Sequence, residues 1–234
     1  MDPVLYIVAT PIGNLEDITL RAIRILGEVD VLACEDTRHT RILLDRHNIK
    51  KPDKVISYRE RNEAQSVPGI IKLMMDGKSV AVVSDAGYPG ISDAGYRLIA
   101  EAVANGIKIE VIPGASAIPV AILSSGLPTD SYTFLGFPNK KQGHRRRLLE
   151  SVKDLPHTLI IYESPFRIGK LIADALEILG DRKAAVCVEL TKMYEQTSRG
   201  YLSELLEQFR DKKVKGEITV AIAGNNPKFI NKDG

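Results

Sequence analysis

Along the first half of the chain, short apolar and β-branched runs alternate with segments of helical period. Val4–Ala9, Val29–Cys34, Ser79–Ser84 and Ile109–Ile112 read as strands. Between the last two, Ala94, Leu98, Ile99, Ala102 and Val103 fall on one helical face. Asp17 stands where an N-cap is expected for a helix carrying Ile18, Ala22, Ile23 and Leu26. This βαβα order predicts a largely parallel sheet covered by helices and ending near Pro113-Gly114.

The pattern then restarts. Ser131–Gly136, Thr158–Tyr162, Ala184–Glu189 and Glu217–Ala223 read as further strands. Ser164-Pro165 has the form of an N-cap followed by proline at the first helical position. The helix after it carries Ile168, Leu171, Ile172, Ala175, Leu176 and Leu179 on its buried side, and Leu202, Leu205, Leu206 and Phe209 form a second stripe. Both stripes are core. The polar tail from Asn225 to Gly234 is expected to fray. The expected organisation is an N-terminal α/β domain over 1–114, a crossover over 115–130 and a C-terminal α/β domain over 131–234.

Composition adds bounds. With 234 residues, 44% of them hydrophobic, the chain can bury one large core or two smaller ones. No apolar run approaches the roughly 20 residues that span a bilayer, and the N-terminus lacks the basic and apolar regions of a signal peptide. A cytoplasmic protein without a membrane partner is expected. Cys34 and Cys187 each lie inside an apolar strand and read as buried free thiols. His39, His47, His144 and His157 show no paired metal-ligand spacing, so no metal site is expected. The net charge of +2 is too small to imply a polyanionic partner, but residues 140–147 read KKQGHRRR, five Lys or Arg without an acid. A solvated loop and helix start is the ordinary account of such a run.

Chemistry concentrates in three glycine-containing loops, each after a predicted strand: Ala9–Asn14, Ser84–Asp93 and Pro113–Ala117. In an open parallel sheet these share the carboxyl edge, where ligands bind. Glycine lets backbone approach a ligand, and helix N-termini expose free N–H donors. The dinucleotide fingerprint G-x-G-x-x-G is absent. Gly90 and Gly95 have the outer spacing of a P-loop, but Tyr96 stands where the phosphate-binding lysine belongs. Tight turns without a ligand remain the alternative reading.

Taken together, Thr10–Leu15, Cys34–Arg38, Ser84–Asp93, Pro113–Ala117, Tyr162–Arg167 and Glu189–Lys192 resemble the 16S rRNA (cytidine-2′-O)-methyltransferase family of the tetrapyrrole-methylase superfamily. The motifs run in order from about residue 5 to residue 224. The resemblance implies two α/β domains with S-adenosylmethionine in the cleft between them. It implies transfer of a methyl group to a cytidine ribose in 16S ribosomal RNA (family target cytidine 1402) within the small subunit, by a homodimer. Carried over by position, Thr10, Pro11 and Gly13 would line the floor of the cofactor site. Asp85, Ala86, Gly87, Gly90 and Ile91 would hold the methionine end, with Ser116 and Ala117 following. Phe137, Tyr162 and Ala221 would come from the second domain. Tyr88 and Ala94 depart from the usual Thr and Pro, Ala115 from a frequent Pro, and Arg59 and Arg61 from the usual His.

A macrocycle methylase of the tetrapyrrole type needs a large cavity, whereas an RNA enzyme needs spread basic residues, because phosphate contacts dominate affinity. Arg38, Arg41, Arg59, Arg61, Lys140, Lys141, Arg145, Arg146, Arg147 and Arg167 supply such a spread and favour RNA. A non-enzymatic nucleotide-binding sensor is the third alternative. A ribose hydroxyl needs a proton acceptor, and Asp36, Glu35, Glu60, Glu163 and Lys192 are candidates among which the residues themselves do not choose.

Overall fold

The computed structural model describes residues 3–231 and divides into two compact units at Ser116/Ala117. In the first unit, strands β1 (Val4–Val8), β2 (Val31–Cys34), β3 (Lys54–Ser57), β4 (Val80–Val83) and β5 (Lys108–Ile112) form a wholly parallel sheet of order β3-β2-β4-β1-β5. Side chains alternate across the pleat. Leu5, Ile7, Val31, Ala33, Val80 and Val82 pack one face against Val67, Ile70, Met74, Leu98 and Ala102 of helices α3 (Glu63–Met75) and α4 (Tyr96–Ala104). Val8, Leu32, Cys34, Ala81 and Val83 pack the other against Ala22, Ile25, Leu26 and Leu44 of α1 (Leu20–Glu28) and α2 (Thr37–Arg46). Burial on both faces is why the central strands read as unbroken apolar runs.

The second unit begins with helix α5 (Ala117–Ser125), so the stretch read as a crossover contains a nine-residue helix. Strands β6 (Tyr132–Phe134), β7 (Thr158–Glu163), β8 (Lys183–Val188), β9 (Gln196–Tyr201) and β10 (Ile218–Ile222) form a mixed sheet of order β6-β7-β10-β8-β9. Only β6 and β7 are parallel. Leu149, Leu171, Ile172, Leu205 and Phe209, from α6 (Gln142–Val152), α7 (Ile168–Leu179) and α8 (Leu202–Phe209), cover one face. Ile118 and Ile122 of α5 cover Ile160 and Ala221 on the other. Cys34 and Cys187 are buried free thiols on β2 and β8.

Several local expectations are corrected. Strands β3 and β9 carry too little apolar period to be read, because as edge strands they are buried less than central ones. Thr19 caps α1, its hydroxyl accepting the Ala22 N–H at 3.2 Å, while Asp17 lies in a preceding 3₁₀ turn. Ser164 accepts the Phe166 N–H at 3.3 Å in a turn, and α7 starts only after Arg167. Val103 points to solvent. The tail to Asn231 is docked rather than frayed: Asn225 donates to the Leu155 carbonyl and Asn231 to that of Asp181, both at 2.8 Å. Residues 232–234 of that expectation lie outside the described residues. Among the described residues no helix is long and apolar enough to cross a membrane.

Candidate functional site

Strands β4, β1 and β5 are neighbours and run in one direction, so the three glycine loops emerge together at the carboxyl edge of the first sheet. They are also bonded to one another. Thr10 and Gly87 exchange two backbone hydrogen bonds of 2.9 and 3.0 Å, and the Thr10 hydroxyl donates to the Ser84 carbonyl at 3.0 Å. The Tyr88 hydroxyl accepts the Gly114 N–H at 3.0 Å. Tyr88, a departure from the family pattern, thus ties the second loop to the third. Gly87 and Gly90 adopt φ of +74° and +83°, a region costly for L residues. At Gly95 a Cβ would stand 2.6 Å from the Gly90 nitrogen, so the loop closes on itself only with glycine there. Pro11 is buried, while Gly13 and Ile91 are exposed, and Ala86, Ser116 and Ala117 are half-buried.

Beyond β2 and β3 the same edge carries a charged cluster. Asp36 caps α2, its carboxylate accepting the Arg38 N–H at 2.9 Å and the Arg38 guanidinium at 3.0 and 2.6 Å. Arg59 donates to the Glu35 carbonyl at 2.6 Å and stands 3.5 Å from Asp36. These partners, Arg38 foremost, hold the Asp36 carboxyl well below the usual carboxylate range. Asp85 joins the second loop to this cluster. One carboxylate oxygen accepts the Asp36 N–H at 3.0 Å, and the other lies 3.1 Å from His39 Nδ1. The Asp85 N–H donates to Glu35 at 3.4 Å. Sequence reasoning does not find His39. A lone histidine in the first turn of a helix carries no signal, and its partner lies 46 residues away. Glu60 and Arg61 are exposed in a 3₁₀ turn, and Arg41 is exposed opposite Asp45.

In the second unit, Glu163 at the end of β7 is buried. It accepts from the Ser164 N–H at 2.6 Å and from Arg167 at 2.7 and 2.6 Å, while its Oε2 has no hydrogen-bond partner among the described residues. Lys192 bridges Glu189 and Glu217 at 2.8 and 3.1 Å. Burial would lower its ammonium, but these two carboxylates outweigh that and raise it. An ammonium held in this way is a poor proton acceptor. Tyr162 packs its ring against Phe134 and the exposed Phe137, with centroids 4.8 and 5.3 Å apart. Ala221 is wholly enclosed between α5 and the sheet, so its part is packing.

The basic run 140–147 divides. Lys140, Lys141 and Arg147 are exposed. Arg145 is only 2% exposed and donates to buried Asp174 at 2.7 and 2.5 Å. Its expected role in RNA binding is therefore corrected, since a guanidinium enclosed under α7 cannot reach a phosphate. Arg146 is half-buried and paired with Glu177. Among the described residues no cluster of three His, Cys, Asp or Glu could hold a metal ion.

The edge of the first sheet offers backbone amides and carbonyls on glycine turns and a partly exposed carboxylate, Asp85. This donor set fits a nucleoside bearing both a cationic and an anionic end.

The family model of the tetrapyrrole (corrin/porphyrin) methylases matches residues 4–206. Among curated relatives, the Thermotoga maritima protein named ribosomal RNA small subunit methyltransferase I is 46% identical over 94% of this chain and 98% of its own. The protein of that name from Coprothermobacter proteolyticus is 48% identical over 93% and 96%. The one from Halalkalibacterium halodurans is 46% identical over 96% of this chain and 77% of its own. Among solved structures, a diphthine synthase matches with a TM-score of 0.71 at 17% identity, covering 94% of this chain and 90% of that one. A uroporphyrin-III-C-methyltransferase from Thermus thermophilus matches at 0.65 and 20%, covering 93% of each chain. These two show the fold. With the edge loops, the family match over most of the chain and relatives named alike at 46–48% identity, the chain belongs to the tetrapyrrole methylases and, within them, to the ribosomal RNA small subunit methyltransferase I family of methyltransferases.

Proposed function

We propose that this protein transfers a methyl group from S-adenosylmethionine to the 2′-oxygen of a cytidine ribose in 16S ribosomal RNA. It does so in the cytoplasm, as a homodimer acting on the small ribosomal subunit. The observation that carries the reading is the bonding of the three glycine loops and the Glu35–His39 cluster into one edge, in a chain whose relatives bear this name. S-adenosylmethionine supplies an electrophilic methyl group when bound. Thr10, Gly87, Gly90 and Ser116 would line its site with backbone, and Asp85 would offer it a carboxylate.

The chain's own part is to orient the ribose and take up its proton. Arg38 and Arg59, steadied by Asp36, offer guanidinium donors for a phosphate. Asp36 is one of the five proton acceptors expected from the sequence. A carboxylate already charge-paired with two arginines is better suited to positioning. Imidazole is the better acceptor, and Asp85 holds the His39 ring by Nδ1 with the ring largely exposed. His39→Gln should cut kcat by about 100-fold or more with methyl-donor affinity unchanged. Asp36→Asn should raise the KM for RNA more than it lowers kcat. The acceptor atom is tested with an RNA substrate bearing one 2′-deoxy nucleotide at the target cytidine. Loss of methyl transfer is expected, and transfer persisting at that nucleotide would make the acceptor a base atom and the reading wrong.

A further inference from the structure

One end of the second unit's sheet gathers Phe166, Met193, Tyr194, Lys213 and Lys215, which have no part in the site above. β7 and β8 finish there, β10 begins there, and β6 runs parallel to β7 towards it. Four segments meet at this end: Phe137–Lys141 after β6, Ser164–Arg167 after β7, Glu189–Glu195 after β8, and 210–217 before β10. Each brings an exposed apolar side chain, a base, or both. Phe166 is 90% exposed, Met193 90% and Tyr194 80%, and Phe137 is exposed beside them in the strand order.

These are not loose loops. Glu189 and Thr191 adopt left-handed backbone at φ +53° and +66°, strain that persists only where surrounding contacts over-determine it. The contacts are present. Lys192 N–H donates to the Glu189 carbonyl and Glu195 N–H to that of Lys192, both at 3.0 Å, and Glu195 accepts the Thr191 N–H at 2.7 Å. The turn therefore holds Met193 and Tyr194 out into solvent.

Charge completes the pattern. Lys140, Lys141, Lys213 and Lys215 have no carboxylate within ion-pair distance among the described residues. The acids at this end are committed: Glu163 to Arg167, Glu189 and Glu217 to Lys192, and Glu195 to the Thr191 N–H. Asp211 alone adds an acid to a loop holding Arg210, Lys212, Lys213 and Lys215. β7 and β8 flank β10, so Phe166 and Tyr194 stem from strand ends about 10 Å apart.

We propose that this end of the second sheet binds an unpaired RNA strand. Phe166 and Tyr194 stack on bases, and the lysines of the flanking loops contact phosphates. Aromatic platforms in a basic surrounding recognise single strands, because a duplex hides its base faces. The proposal deepens the RNA reading above and rests on it.

The test is the affinity of the full chain for labelled unpaired and duplex oligoribonucleotides, by fluorescence anisotropy without methyl donor. Phe166→Ala with Tyr194→Ala should weaken unpaired RNA by about tenfold or more and leave duplex RNA unchanged. Tyr194→Phe keeps the ring and should bind like the parent. Lys213→Ala with Lys215→Ala should lower the salt slope by about 0.7 for each phosphate no longer neutralised. A double aromatic variant that binds unpaired RNA as tightly as the parent overturns the proposal, and leaves the deoxy-substrate test of the acceptor untouched. Dissociation of an oligomer by the same variant in sedimentation, with RNA affinity unchanged, also overturns it and makes this end a contact between copies of the chain. A parent protein that binds neither oligoribonucleotide also overturns the proposal, while the deoxy-substrate test still decides the methyl-transfer reading.

Discussion

Arg145 and Arg147 stand two positions apart in one basic run, yet their surroundings are opposite. Arg145 and Asp174 are enclosed together, and Gln142 donates to the second Asp174 oxygen at 3.0 Å. Removing Arg145 leaves buried Asp174 with Gln142 and only the longer contact to Arg146 at 3.6 Å, so Arg145→Ala should cost about 3 kcal/mol. Arg147→Ala should stay within about 0.5 kcal/mol. Urea titrations of the two variants check this, and equal effects would mean that the Arg145 pair has no structural role. The basic run is therefore solvated only in part, with one of its five charges, Arg145, built into the packing of α6 on α7. Arg182 shows the other way to bury a guanidinium. It donates to the carbonyls of Leu179, Lys153 and Ala223 at 2.8, 2.6 and 3.4 Å, and burial lowers its pKa.

At the scale of elements, helix ends decide where the loops of the first sheet begin. The N-terminus of α4 follows Gly95, which has no side chain to cap it. Glu63, from α3, does so instead, accepting the Gly95 and Arg97 N–H groups at 3.0 and 3.2 Å and the Tyr58 hydroxyl at 2.7 Å. Burial, then the hydrogen bond to Glu63, pushes the Tyr58 phenol far up. The second glycine loop is thus anchored from outside its own segment. The start of α1 is local by contrast. Thr19→Ala should cost about 1 kcal/mol, as loss of an N-cap does, and Asp17→Ala should cost less than about 0.5 kcal/mol. Thermal melts of both variants test it, and the reverse order would return the cap to Asp17.

For the whole molecule, carboxylates in both units are held below their ordinary range. In the first, Asp30 is lowered by the Ser79 N–H and Lys78, and Asp36 by Arg38. In the second, Glu177 is lowered by Arg146. Burial would raise Glu189, but Lys192 and the Glu217 N–H outweigh it. A depressed folded pKa contributes stability that is present above the unfolded value near 4 and lost as pH falls through the folded one. Urea midpoints should therefore hold from about pH 7 to 5 as far as these groups are concerned, and fall below about pH 4. Asp30→Asn should flatten the fall. A midpoint that rises on acidification would contradict these assignments.

The alternation of strands and helices, the parallel first sheet, the buried thiols and the three loops after β1, β4 and β5 are legible in the order of residues alone. Burial on both faces writes long apolar runs, and glycine and proline mark the turns between them. Six short motifs in order were enough to indicate the family. Which charged residues are available depends on packing between distant segments. Arg145 and Arg147 are chemically identical, and only the packing of α6 on α7 shows that one is enclosed. His39 became a candidate because parallel β2 and β4 are neighbours, which brings Asp85 within 3.1 Å across 46 residues. The edge strands β3 and β9, half exposed and weakly apolar, were invisible for the same reason. Their place is set by pairing with a neighbour, and pairing between distant segments leaves little mark on either one.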